Sequence, residues 1–215
     1  MGYSNLKLIE MSEFDLRAAD WDKNPMHWDR SVAIAGEILK NVPLKPFFRA
    51  MEFGAGTGIL SFLLKDHLKE ILLIDNSAEM IRLTNEKIEA SGAANLHTKF
   101  FDLENSDLDG NKFDLIFTQM VLHHVSDIEK IFTKFHTMLS PGGYLAIADL
   151  YTEDGSFHGE GFDGHLGFDP VDLAEIMEKK QFNNISHKEC FVITRIISES
   201  ETSYFPVFLI TAKSI

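Results

Sequence analysis

Cysteine is nearly absent from this chain, whose 215 residues include a single one at Cys190. One cysteine cannot form an internal disulfide, and it cannot supply a zinc site that needs several thiolates. Cys190 lies in the segment H-K-E-C-F-V-I-T, and this apolar setting predicts a buried strand residue rather than a nucleophile. Thiol chemistry is therefore not expected of this chain.

Basic residues are also scarce. Lys and Arg number 20 against 33 Asp and Glu, which gives a formal net charge of −13. Binding to a nucleic-acid backbone needs clustered Lys and Arg, so this balance argues against nucleic acid as a partner. A neutral or cationic small-molecule substrate is easier to reconcile with the charge.

Long apolar runs are missing as well. No run approaches the roughly 20 residues that a membrane span requires, so no membrane partner is expected. The first ten residues, M-G-Y-S-N-L-K-L-I-E, lack the basic-then-apolar order of a signal peptide. We therefore expect a cytoplasmic protein.

The rest of the composition fits a single α/β domain over residues 1–215, with 45% hydrophobic and 25% charged residues. Short apolar runs alternate with segments of helical spacing, which predicts parallel strands joined by helical crossovers. The predicted fold class is α/β, with a doubly wound, mostly parallel seven-stranded sheet, helices on both faces and a C-terminal antiparallel hairpin. Strands are predicted at 50–53, 71–75, 96–101, 113–118, 144–150, 185–197 and 203–215, and helices at 59–64, 78–90, 126–139 and 170–180.

Two segments outside this alternation are of interest for function. Residues 10–42 are predicted to be helical, and the apolar stripe of the second half is assigned to Trp28, Val32, Ala35 and Leu39. Residues 151–168 contain five glycines and no periodicity. A loop of this length at a strand exit lies where ligands bind in such sheets, so we expect it on the substrate side.

The most informative stretch is R-A-M-E-F-G-A-G-T-G, from Arg49 to Gly58. It predicts a strand, a tight glycine turn and a helix, and glycines there would let the backbone pass close to a ligand. The dinucleotide-binding fingerprint needs a third glycine where this chain has Ile59. The pattern E-x-G-x-G-x-G instead resembles motif I of the class I S-adenosylmethionine-dependent methyltransferases, and the resemblance extends over most of the chain.

The resemblance implies S-adenosylmethionine as cofactor and S-adenosylhomocysteine as product, with the cofactor in residues 46–150. Residues 1–45 would form a helical lid, and residues 169–215 a helix and an edge hairpin. Asp75 would accept the ribose hydroxyls, because an ionised carboxylate is a bidentate acceptor. Asp102 would accept the adenine amino group, and Gln119 and Met120 would line the methionine portion. The full set of expected cofactor-binding residues is Trp21, Glu52, Gly54, Ala55, Gly56, Gly58, Asp75, Asn76, Met80, Asp102, Leu103, Gln119 and Met120.

The reaction implied is methyl transfer to a small-molecule acceptor by in-line displacement, in which positioning matters more than side-chain chemistry. A general base is needed only if the acceptor is protonated. Of the adjacent His123 and His124, we expect His124 to face the site. No motif identifies the base. The candidates are His124, Tyr151, His158 and His165, together with the carboxylate of Asp149. The histidines lack the spacing of a zinc motif, so no metal is expected.

Two other functions stay open at this stage. An NAD-type oxidoreductase is disfavoured by Ile59 and by the second strand-end acid, Asp102. A protein that binds the cofactor without catalysis remains compatible with the sequence, because this family has no mandatory catalytic side chain. The edge hairpin could also pair with a second copy, which would make a homodimer.

Overall fold

The computed structural model describes residues 12–108, 110, 112–198 and 201–215, and these form a seven-stranded sheet in the order β3-β2-β1-β4-β5-β7-β6. The first five strands in this order are parallel, while β7 pairs antiparallel with both β5 and β6. The predicted fold class is therefore confirmed. The strands are β1 Arg49–Phe53, β2 Glu70–Asp75, β3 Leu96–Phe100, β4 Phe113–Gln119, β5 Leu139–Leu150, β6 Phe182–Ser198 and β7 Glu201–Ser214.

Helices follow β1, β2 and β4, and most of the helices begin at polar caps. The side chains of Ser77, Asp127 and Asp169 each accept a hydrogen bond from a backbone amide in the first turn of the helix that follows. None of the helices that the structure describes combines the length and apolarity needed to cross a bilayer. The helices are α1 Glu13–Trp21, α2 Pro25–Asn41, α3 Ile59–Leu64, α4 Ala78–Ser91, α5 Ile128–Met138 and α6 Pro170–Lys179.

The core lies on both faces of the sheet because successive strand residues point to opposite sides. Phe117 in β4 belongs to the apolar cluster that includes Ile34 of α2. Its neighbour Ile116 belongs to the other cluster, with Phe132 of α5. This division gives the three-layered arrangement expected of a doubly wound sheet.

The largest differences between the predicted and the observed element boundaries are in β5 and in the hairpin. Strand β5 begins at Leu139 instead of residue 144, because the Pro141-Gly142-Gly143 segment stays in the sheet at a register shift opposite Phe113 and Leu115. Strand β6 spans Phe182–Ser198 instead of the predicted 185–197, and β7 spans Glu201–Ser214 instead of 203–215. The predicted lid begins at residue 1, and its residues 1–11 lie outside the described part of the chain.

The predicted apolar stripe of α2 was wrong at three of its four residues, whereas Ala35 is buried as predicted. Trp28, Val32 and Leu39 are 52%, 43% and 39% exposed. A neighbouring set with the same helical spacing faces the core instead. Helical periodicity could not show which of the two sets is buried, because the buried set includes a charged residue, Arg30, and a hydroxyl residue, Ser31. The buried residues of α2 are Arg30, Ser31, Ile34, Ala35 and Ile38.

The loop of residues 151–168 is closed at its base and anchored to the sheet. Tyr151 bridges to Phe168, and the amide of Thr152 donates to the Phe168 carbonyl over 3.1 Å. Further along, the amide of His165 donates to the His123 carbonyl over 2.8 Å. The loop therefore returns to the strand exits, and these bonds fix its two ends relative to the sheet.

Gly167→Ala is expected to destabilise the protein more than Gly159→Ala. Both glycines have positive φ values, +71° and +85°, so both substitutions share the same backbone strain. A Cβ at Gly167 would also overlap the Tyr151 carbonyl, while a Cβ at Gly159 meets nothing within 4 Å. Overpacking of this kind costs about 1–3 kcal/mol, and urea denaturation of both variants measures the difference. Equal losses of stability would show that the loop base is not tightly packed.

Candidate active site

The glycine turn lies where β1 ends. Gly54, Gly56 and Gly58 have φ values of +65°, +54° and +77°, which an L side chain rarely adopts. At Gly54 a Cβ would also overlap the side chain of Val121, which follows β4. The turn therefore requires glycine for its backbone conformation, and at Gly54 also because no room is left for a side chain.

A cavity of about 300 Å³ opens beside this turn, at the carboxyl ends of β1, β2 and β4. It contains eleven of the thirteen residues expected to bind the cofactor. Their contact with a ligand stays a prediction, but the fold brings them to one place. These residues are Trp21, Gly54, Ala55, Gly56, Asp75, Asn76, Met80, Asp102, Leu103, Gln119 and Met120.

Asp75 is held rigidly at the end of β2. One carboxylate oxygen accepts from the Gly56 amide over 2.7 Å, and the other accepts from the Ser77 amide over 2.8 Å. Burial raises the pKa of Asp75, and these two amide bonds oppose that rise. The carboxylate is thus oriented by backbone donors, and its remaining lone pairs can accept from a ligand.

Two of the expected cofactor residues do not line the cavity. Glu52 is fully buried beneath the turn, where its carboxyl accepts from the Ser61 hydroxyl. Burial raises the pKa of Glu52 to about 8, so the side chain is mostly protonated at neutral pH. Gly58 is the N-cap of α3, and Leu73 and Thr84 fill the space around it. Both residues support the turn from behind.

Helix α1 lies over the cavity and is tied down at both ends. Asp15 accepts from the Ser77 hydroxyl over 2.6 Å, and this bond is the main reason that its pKa is lowered to about 2. Asp22 accepts from the Thr57 hydroxyl over 2.5 Å. Trp21, between these ties, lines the cavity, whereas Trp28 is exposed on α2. Helix α1 thus lies at the predicted lid position, Arg30 of α2 reaches the same cavity, and closure over a cofactor stays a prediction.

A second cavity, of about 880 Å³, adjoins the first. Five residues line both cavities, so the two spaces meet at a common wall: Phe14, Trp21, Arg30, Met120 and His124. Met120 has a φ of +56°, which is rare for a residue with a side chain and often marks a functional position. Helix α1 covers one side of the second cavity, and the loop of residues 151–168 covers another.

Three histidines meet at the second cavity. His123 is buried, and its Nδ1 donates to Asp149 over 2.6 Å, while the ring of His158 stacks on Phe162 with 3.8 Å between centroids. One ring nitrogen from each of His123, His124 and His158 lies within 4.8 Å of the others. Burial, followed by the nearby His123, lowers the pKa values of both His124 and His158 to about 4. Both rings are therefore neutral at pH 7.

The other candidate bases lie elsewhere within the described part of the chain. Tyr151 packs edge-on against Phe208, with centroids 5.3 Å apart. His165 donates through Nε2 to the Val125 carbonyl over 3.0 Å. Neither residue lines the two cavities described here, and Asp149 is occupied behind His123. His124 and His158 are the predicted candidates that the fold places at a cavity.

Sequence reasoning missed Arg30. Its guanidinium lies on the buried face of α2, with the residue only 5% exposed, and its Nε has no hydrogen-bond partner among the described residues. Burial lowers the pKa of Arg30 to about 10, so the group stays charged at pH 7. Arg30 precedes Ile34 and Ile38 by four and eight residues, so it lies on the same helix face as these apolar residues. This spacing is the sequence signal that could have identified Arg30 as a buried cation.

Comparison with known proteins places this geometry in a family context. Residues 44–202 match a family model described as a methyltransferase domain. An uncharacterized methyltransferase of Schizosaccharomyces pombe is 29% identical over 175 residues. That alignment covers 73% of this chain but 62% of the yeast protein, so this chain spans less than two thirds of that relative's length.

Solved structures share the fold. A SAM-dependent methyltransferase from Aquifex aeolicus superposes with a TM-score of 0.64 at 20% identity, covering 84% of this chain and 89% of the other. The protein in the DhpI-SAM-HEP complex superposes with a TM-score of 0.71 at 19% identity, covering 94% of each chain. At such identities the likeness establishes the fold alone.

Glu52→Gln is expected to flatten the dependence of stability on pH between about pH 7 and 8. The pKa of Glu52 is about 8 in the folded protein and 4.5 as the ordinary value, so the folded state holds a proton that the unfolded state has lost. Stability of the unmodified protein should therefore fall by about 1 kcal/mol as pH rises through this window. Urea denaturation at several pH values measures the slope.

The matched control for that experiment is Glu86→Gln, on the exposed side of α4, where the side chain is 61% accessible. This variant should keep the slope of the unmodified protein. If Glu52→Gln also keeps it, Glu52 is ionised in the folded state and does not support the turn as a neutral acid.

Proposed function

We propose, from the premise that this chain belongs to the methyltransferase-domain family, that it transfers the methyl group of S-adenosylmethionine to a small-molecule acceptor. The observation that supports this most directly is the pair of adjoining cavities. One contains the residues expected for the cofactor, and the other is free for an acceptor. Methyl transfer needs this arrangement, because the attacking atom must approach the methyl carbon opposite the sulfur.

The residues present fit S-adenosylmethionine along the whole length of the first cavity. Met80, Asp102 and Leu103 would contact the adenine, and Asp75 would accept the ribose hydroxyls. The cofactor's methionine portion would then point toward Gln119, Met120 and the wall shared with the second cavity. The backbone of Gly54 and Gly56 would form the floor beneath it.

Arg30 fits the anionic group of the cofactor's amino-acid end. The methionine portion carries a carboxylate, and Arg30 brings a buried guanidinium with an unpartnered Nε to the same wall. Arginine binds carboxylates through paired, charge-assisted hydrogen bonds. We propose that Arg30 binds the cofactor's carboxylate and so fixes the direction in which the methyl group points.

When bound, the cofactor supplies an electrophilic methyl group on a sulfonium. The chain's own part is to position and enclose the reactants. Helix α1, tied down by Asp15 and Asp22, covers both cavities and limits the entry of water. The second cavity would hold the acceptor beside this methyl group, and a protonated acceptor would give its proton to the neutral imidazole of His124 or His158.

The net charge of the chain does not carry over to the acceptor cavity. The carboxylates that line the second cavity belong to exposed residues, Glu13, Asp20, Glu160 and Asp163. Its inner cations, Arg30 and Arg195, are buried or partly buried. The expectation of a neutral or cationic substrate therefore has no support from the cavity itself, and we propose only that the acceptor is a small molecule. A homodimer, a cytoplasmic location and the absence of a nucleic-acid partner stay predictions.

Calorimetric titration with S-adenosylhomocysteine and with NADH tests the cofactor. We expect the first ligand to bind and the second not to bind. Asp102→Ala should weaken S-adenosylhomocysteine binding by about tenfold, because loss of one hydrogen bond to the ligand costs about 1 kcal/mol or more. Asp66→Ala, an exposed acid outside the cavity, is the control and should bind as the unmodified protein does. Binding of NADH without binding of S-adenosylhomocysteine would contradict the proposal. If S-adenosylhomocysteine binds, a methyl-transfer screen then distinguishes catalysis from cofactor binding alone.

Arg30→Gln tests the orientation. We expect this variant to bind S-adenosylhomocysteine about 10–100-fold more weakly, since a charge-assisted hydrogen bond contributes about 1.5–3 kcal/mol. Its affinity for 5′-methylthioadenosine, which lacks the amino-acid portion, should be unchanged. Arg82→Gln on the surface of α4 is the control for both ligands. Equal losses for the two ligands would show that Arg30 supports the fold and does not bind the carboxylate.

A further inference from the structure

The cluster of His123, His124 and His158 is not explained by cofactor binding. Two of these residues are adjacent in the chain, and the third comes from the loop that covers the second cavity, so only the folded chain brings them together. All three line the second cavity, and one ring nitrogen from each lies within 4.8 Å of the other two. We propose that these three imidazoles bind a divalent transition-metal ion of the zinc, cobalt or nickel type.

Asp149 prepares His123 to act as a ligand. Because Nδ1 of His123 donates to this carboxylate over 2.6 Å, the proton resides on Nδ1 and the lone pair resides on Nε2. Asp149 is itself fixed, since it accepts from the Leu150 amide over 2.7 Å and is fully buried. A carboxylate behind a histidine ring is the usual outer partner of metal-bound histidine, because it sets the tautomer and increases the basicity of the ligand.

His158 brings a second, independent observation. Its Nε2 is buried and has no hydrogen-bond partner among the described residues. Leaving a buried polar nitrogen unpaired costs free energy, and a metal ion would remove that cost. The His158 ring stacks on Phe162 at 14° between planes, and its centroid lies 5.0 Å from that of His123 and 5.1 Å from that of His124.

The geometry needs only a small closure to bind an ion. Around a tetrahedral ion with metal–nitrogen bonds of about 2.0–2.1 Å, ligand nitrogens lie roughly 3.3 Å apart, so the rings must approach one another by at most about 1.5 Å. His158 can supply this movement because it belongs to a loop between the anchored ends. Three nitrogen ligands and no thiolate or free carboxylate favour a transition metal over magnesium or calcium, which prefer oxygen.

Three protein ligands leave a fourth position that faces the second cavity, as in catalytic metal sites. An acceptor hydroxyl bound there would lose its proton to solvent more readily and then attack the methyl group. This role rests on the proposed function, whereas metal binding itself does not. The two can therefore fail separately.

The test uses the whole chain, prepared without a histidine tag and stripped with a chelator. We expect Co²⁺ to bind with one equivalent, seen by visible d–d absorption, and Zn²⁺ to displace it. His158→Ala should weaken binding by about 100-fold or more, and Asp149→Asn by about 10–100-fold, as for loss of an outer partner. His97→Ala, an exposed histidine of β3, is the matched control and should change nothing.

Titration of the same samples with S-adenosylhomocysteine keeps the outcomes distinct. His158 does not line the cofactor cavity, so His158→Ala should keep the ligand affinity and thereby show that it is folded. Absence of Co²⁺ and Zn²⁺ binding in the unmodified protein, or equal binding in His158→Ala, would overturn the metal site. Metal binding without S-adenosylhomocysteine binding would overturn the proposed cofactor and leave the metal site standing.

Discussion

The site depends on how closely the chain leaving β1 passes the chain leaving β4. The two strands are parallel neighbours, and the Thr118 hydroxyl donates to the Phe53 carbonyl over 2.7 Å at their exits. Gly54 directly follows Phe53 and Val121 comes three residues after Thr118, and the two are so close that any side chain at Gly54 would force them apart. This contact leaves Met120 at the wall between the two cavities and directs the following histidines into the second one.

At neutral pH, the buried ionisable groups around that contact are each mainly in one protonation state. Glu52 beneath the glycine turn keeps its proton, because burial raises its pKa to about 8. Arg30 keeps its charge, and His124 and His158 stay neutral because burial lowers their pKa values. The wall between the cavities thus presents one cation, Arg30, and one neutral imidazole, His124, and the neutral imidazole of His158 lies in the second cavity. Such an arrangement can orient an anionic group on one side and accept a proton or a metal ion on the other.

The sequence predicted what depends on local pattern. Alternating apolar runs predicted the strands, helical spacing predicted the helices that follow β1, β2 and β4, and the acids near the ends of β2 and β3 line the first cavity. What it missed depends on which of two equivalent patterns faces the core. On α2 the exposed stripe with Trp28 and the buried stripe with Arg30 have the same spacing, and hydrophobicity favoured the wrong one.

The histidine cluster was beyond prediction for a different reason. His158 comes from a loop without periodicity, and nothing in its neighbours indicates that it returns to His123 and His124. A metal motif can be recognised in a sequence when its ligands share one element at a fixed spacing. Here the spacing is set by the closed loop base at Tyr151 and Phe168, which exists only in the folded chain.

The structure of this protein with bound S-adenosylhomocysteine is the measurement that tests the central claim most directly. We predict the adenine against Met80 and Asp102, the carboxylate at Arg30, and the sulfur at the wall beside Met120 and His124, facing the second cavity. A ligand bound with the opposite orientation, or with its sulfur closed off from the second cavity, would contradict methyl transfer between these two spaces.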